Sequence, residues 1–142
     1  MELPEVIPNL IALLRASDVP ESCPILSSAD AEHNRRLAEA LKNPGIVIVV
    51  TLALGDPKEP SRAELVMDNQ ILISVLENPE TNTSGLTCLA LVQQVLTAIY
   101  RPEWSGPRGA KPKFNLGKPA YEAGPLDDGL TVYFVNATCT TR

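Results

Sequence analysis

The chain has 142 residues, 44% of them hydrophobic, and a net charge of −5. That length supports a core, that apolar content excludes a disordered chain, and the acidic balance disfavours general binding to nucleic acid, whose phosphates it repels. Aromatics are only 4% of the sequence, so the core must come from Leu, Ile, Val and Ala.

The longest apolar run, residues 46–54, is interrupted by Thr51 and is far too short to cross a bilayer. The N-terminus carries Glu2 and Glu5 and no basic stretch, which does not read as a signal peptide. The expectation is a soluble protein made in a cytoplasm, without a membrane partner. Cys23, Cys88 and Cys139 are odd in number, widely spaced and outside any CxxC pair. Buried free thiols are therefore expected, not a disulfide framework.

In chain order, residues 3–16 predict an amphipathic helix with Val6, Ile7, Leu10, Ile11 and Leu14 on one stripe. Pro4 and Pro8 fit only in its first turn. Residues 18–27 read as a polar, proline-bearing connection. A weaker helix follows over residues 29–42, with Ser27 or Ser28 as cap and only Leu37, Ala40 and Leu41 as an apolar face. It should lie shallowly on the surface. Asn43-Pro44-Gly45 ends it, and the β-branched run from Ile46 predicts a strand buried on both faces. Residues 55–60 read as a loop.

The clearest unit spans residues 67–100. Ile71, Ile73 and Val75 alternate with Leu72, Ser74 and Leu76, as in a strand with one well-buried face. Turn formers fill residues 78–85. From Leu86 the period becomes helical, with Leu91, Val92, Val95, Leu96 and Ile99 on one stripe, and Arg101-Pro102 ends the helix. A long Pro- and Gly-rich region occupies residues 101–118. Residues 119–126 form a weak edge strand, Asp127-Asp128-Gly129 a turn, and residues 130–140 the last long strand. The order α-α-β-β-α-β-β predicts one α+β domain. Its sheet is small, mainly antiparallel (mixed), of about four strands, with helices packed on one face.

Chemistry is sparse. His33 is the single histidine and reads as a solvated helix residue; no HExxH, GxSxG, Walker or GxGxxG pattern is present. No catalytic residue, cofactor site or metal site is expected, and no enzyme. The 101–118 region holds Arg101, Arg108, Lys111, Lys113 and Lys118 against Glu103 alone, a local +4 that leaves −9 on the rest. It is either a solvated loop or an arm that docks on an acidic neighbour. Trp104, the single tryptophan, is either an interface anchor or packing under the loop.

With these residues laid out, the chain resembles the tail terminator or tail-completion proteins of long-tailed bacteriophages. The likeness is carried by the N-terminal helix, RLAEALKNPGIVIVV, ILISVLENPETN entering SGLTCLALVQQVLTAIY, the loop RPEWSGPRG and the closing LTVYFVNATCTT. The resemblance implies a structural virion protein forming a ring, commonly a homohexamer, on the head-proximal end of the tail tube. Such a ring ends tube polymerisation and offers a surface for head joining. It implies as partners a second copy, the tail tube protein and the head connector, with DNA passing through an acidic channel without specific binding. It places contacts in residues 55–62 and 101–118, which adds Asp56, Lys58 and Arg62 to the basic arm and Trp104. Assembly would occur in a bacterial cytoplasm. The alternatives are a head–tail adaptor of the neck and a small non-catalytic ligand-binding domain.

Overall fold

A computed structural model describes residues 1–58, 64–100, 113–126 and 129–142. A 3-10 turn over Leu3–Glu5 leads into α1 (Val6–Arg15), so Pro4 and Pro8 fall where missing N–H groups cost little. Val6, Leu10 and Leu14 are fully buried, while Ile7 and Ile11 are half-buried, so the expected stripe divides into an inner and an outer row. The remaining elements are β1 (Ile25–Ser27), α2 (His33–Lys42), β2 (Ile46–Pro57), β3 (Met67–Glu77), α3 (Cys88–Ile99), β4 (Asn115–Ala123) and β5 (Thr131–Thr141).

The strands form one mixed sheet in the order β1-β2-β3-β5-β4. β1 runs parallel to β2 and every other pair is antiparallel. The fold is therefore α+β with five strands, one more than the expected four, in the order α-β-α-β-β-α-β-β. The extra strand lies in the stretch read as a polar connection. At three residues it is too short to show a period, yet Ile25 packs on the core and Ile48 N–H donates to Pro24 O at 2.9 Å.

That strand also corrects the placement of helices. Two parallel neighbours need a crossover, and α2 supplies it. Ile46, Ile48 and Val50 point into the main core with α1 and α3, whereas Val47 and Val49 are buried outside that cluster, as is Ala40 of α2. α2 therefore covers the far face at the β1–β2 corner, and only α1 and α3 share the core face. It starts at His33, not near residue 29, because Ser27 Oγ and Asp30 Oδ1 accept from Ala29 N–H and Glu32 N–H and shape a turn instead of capping the helix.

The 67–100 unit folds as its periodicity demands. Ile71, Ile73 and Val75 are buried against Leu91, Val95 and Ile99. Thr87 caps α3 by accepting from Ala90 N–H at 3.1 Å. The polar turn before it is held from both sides. Glu77 accepts from Asn82 Nδ2 at 2.6 Å and from Cys88 N–H at 3.1 Å, while Thr81 Oγ1 donates to Leu41 O at the end of α2. Gly45 lies against this turn with φ at +85°, and a Cβ there would come within 2.5 Å of Asn82 N.

Two other boundaries differ from expectation. β2 continues to Pro57 and β3 begins at Met67, so the segment expected as a loop from residue 55 is a paired arm, Gly55 opposite Asn69 and Asp56 opposite Asp68. β4 is an edge strand as expected, but it begins at Asn115 and carries Pro119 in its middle. Its register slips there: β4 advances from Leu116 to Tyr121 while β5 moves only from Ala137 to Val135. Asn136 Nδ2 holds the bulge by donating to Pro119 O at 2.9 Å. The Asp127-Asp128 pair expected to build the turn lies outside the described residues; Gly129 follows at φ +77°.

Candidate assembly surfaces

The expected contact residues fall on separate surfaces. Asp56 and Lys58 sit on the exposed β2–β3 arm, where Lys58 Nζ is 4.0 Å from Asp68 Oδ1 and Thr140 Oγ1 donates to Asp68 at 3.2 Å. Lys58 N–H also donates to Val66 O at 2.8 Å, so this end of the arm is a paired ladder. Lys113 and Lys118 are exposed at the opposite edge of the sheet, on either side of the start of β4. Phe114 between them is buried and fastens the strand's entry to the core. Lys118 borders a hollow of about 320 Å³ between the β4 bulge and the far face, floored by Gln70, Leu72, Asn136 and Thr138. Arg62, Arg101, Trp104, Arg108 and Lys111 lie outside the described residues.

The structure adds a surface that lies outside the charged loops. Arg15 is the one charged residue in the ten positions of α1, and the twelve of α3 hold none. Both helices nonetheless have solvent-facing sides. Leu89 is 53% exposed, Tyr100 just after α3 is 61% exposed, and Leu3 is 47% exposed. A surface helix ordinarily carries polar and charged residues on its outer side. The signal was in the sequence as a lack: from Cys88 to Tyr100 there is no Asp, Glu, Lys or Arg.

Beside α1 this uncharged layer opens into an apolar groove of about 950 Å³. It is lined by Leu3, Ile7, Ile11 and Ala12 from the N-terminal helix and by Ser27, Ala29, Asp30 and Leu52. It lies at the end of β1, whose last residue Ser27 lines it. Ile7 and Ile11 belong to the outer row of the α1 stripe, which is why that stripe is wider than one core contact needs.

Burial favours the protonated form of all three thiols. Burial pushes Cys23 up to about 11 against the pull of Arg15, and pushes Cys88 up to about 11 with help from the Glu77 carboxylate. Cys139 is raised by burial as well, and a contact from Asn69 works against that rise. All three are free and buried, and thiols held protonated in apolar surroundings are inert. Among the described residues no three His, Cys, Asp or Glu side chains stand together as metal ligands. No helix among them is long and apolar enough to cross a membrane.

No protein-family model matches the sequence, and no curated protein sequence does. The fold is similar to that of a solved structure, the sheath/tube terminator of an extracellular contractile injection system, PVC, in its extended state. The TM-score is 0.51 at 11% sequence identity. The match covers 100% of this chain and 57% of that one, so this chain spans little more than half of its structural neighbour's length.

Proposed function

We propose that this chain is a non-catalytic structural subunit that caps the tube of a phage-type or contractile tail. Copies assemble head to tail into a ring, most simply a hexamer, whose one face stops tube growth and whose other face receives the next component. In a phage that component is the head connector, and DNA passes the acidic ring without specific binding. One observation carries the reading: the whole chain matches the fold of a sheath/tube terminator. The apolar groove beside α1 and the exposed Leu89 and Tyr100 support it, because a subunit buried in an assembly keeps apolar surface that a monomer avoids. The neighbour comes from an injection system, so a sheath protein joins the tube protein as a candidate partner.

Size-exclusion chromatography with light scattering, on the chain alone and mixed with tube protein from the same gene cluster, tests this. Ring-sized particles that bind tube ends are expected in electron micrographs. A strict monomer that leaves tube length unchanged would overturn the proposal.

A further inference from the structure

The α1 groove has a sign as well as a shape. Its floor is apolar, and the exposed Glu2 and Glu5 flank Leu3 and Pro4, which line it. Among the described residues no cation lies within 4.0 Å of either carboxylate. Asp30, which also lines the groove, is held at 2.9 Å by Arg36. A ligand suited to the groove therefore carries a large apolar group with cations next to it, since complementary charge guides encounter and burial of the apolar group supplies affinity.

This chain contains one segment of that composition. Between Tyr100 and Lys113 the sequence reads RPEWSGPRGAKP, with Trp104 the single tryptophan, Glu103 before it and the cations Arg101, Arg108 and Lys111, which leave the segment positive. An indole buries about 150–250 Å² when seated. The segment is also correctly placed for a neighbour. The groove lies at the end of β1, one outer strand of the sheet, and the segment leads into β4, the other outer strand. Four strand spacings separate those edges, about 19 Å.

We infer that the groove of one copy receives the Trp104 segment of the next copy, with Glu2 and Glu5 meeting its cations. The inference rests on the ring reading and identifies the contact that closes it. Donor and acceptor are different patches on opposite edges, so the contact is heterologous, the type that generates rings instead of two-fold dimers.

Trp104 is its own probe. In the full chain, its emission is expected to shift to shorter wavelength as protein concentration rises, in step with assembly followed by light scattering. Ala12→Arg places a cation in the groove at an exposed helical position. It should raise the concentration needed for assembly about tenfold or more, as blocking an apolar anchor pocket does, and keep the emission solvent-like. Glu2→Lys with Glu5→Lys, and separately Lys111→Glu with Lys113→Glu, should each weaken assembly, and mixing the two variants should restore it. If the wild type never assembles, the ring reading fails and this contact with it. If it assembles while Trp104 stays solvent-like, or while Ala12→Arg assembles normally, the ring reading stands and this contact is wrong. An emission already shifted at the lowest concentration, independent of assembly, also overturns it by placing the indole within its own chain.

Discussion

α2 and α3 are similar in length and both lie on the sheet, but they are finished in opposite ways. α2 presents Arg35 to Glu32 and Glu39 at 2.8 and 3.1 Å, and Arg36 to Asp30 at 2.9 Å. It buries only Ala40. α3 buries Cys88, Leu91, Val92, Val95, Ala98 and Ile99 and carries no charge at all. α2 is held by its ends and its charges suit it to water. α3 is held by its inner row, and its outer row exposes the neutral Leu89, Gln93 and Thr97. The difference separates the residues that hold the fold from the exposed ones that do not.

The inner row sets the largest expected effect. Leu91 is fully buried, and Leu91→Ala removes its packing against the sheet. That should cost about 2–5 kcal/mol, the range for truncating a buried leucine. A urea titration checks it: the midpoint should fall with little change in slope. A loss under about 1 kcal/mol would mean that α3 is less tightly seated than its burial states.

The same row gives alkaline sensitivity. Cys88 is raised from 9.0 to about 11, chiefly by burial. Below pH 9 the thiol is protonated in both folded and unfolded chains, and its contribution is complete. Between about pH 9 and 11 the unfolded chain loses the proton while the folded chain holds it, so stability falls as pH rises. Tyrosine and lysine side chains titrate in the same window. The comparison is therefore with Cys88→Ala, whose melting temperature should decline less steeply from pH 9 to 11. Parallel declines would show that the thiol is not the cause.

Much of this division was legible before any coordinates. Ile71, Ile73 and Val75 were readable as a buried face, and Leu91, Val92, Val95 and Ile99 as a core stripe, because each element is long enough to show its period. β1 was not legible: Ile25, Leu26 and Ser27 become a strand only because β2 offers them an edge. The arm was hidden for a similar reason. Gly55, Asp56 and Pro57 have the composition of a turn, yet they pair because β3 is fixed by β5 as far as Met67 opposite Thr141. The α2 placement followed from missing β1, since the crossover is invisible without both parallel strands. Charged loops read as candidate sites because charge is conspicuous in a sequence. The outer rows of α1 and α3, nearly free of charge, do not, because a missing residue type makes no motif.

The outer rows supply the smallest and most discriminating contrast. Arg35→Ala on α2 breaks two exposed ion pairs and should cost roughly 0.2–1 kcal/mol at low salt. Near 1 M salt that cost should vanish, because the Debye length contracts to about 3 Å. Leu89→Lys on α3 replaces a side chain that is 53% exposed. Its effect on unfolding should stay within about 0.5 kcal/mol at either salt concentration. Binding of a dye that reports exposed apolar surface separates the two variants: the signal should drop for Leu89→Lys and stay unchanged for Arg35→Ala. If Leu89→Lys instead destabilised the chain as Leu91→Ala does, the outer row of α3 would belong to the core. The two helices would then differ in composition without differing in role.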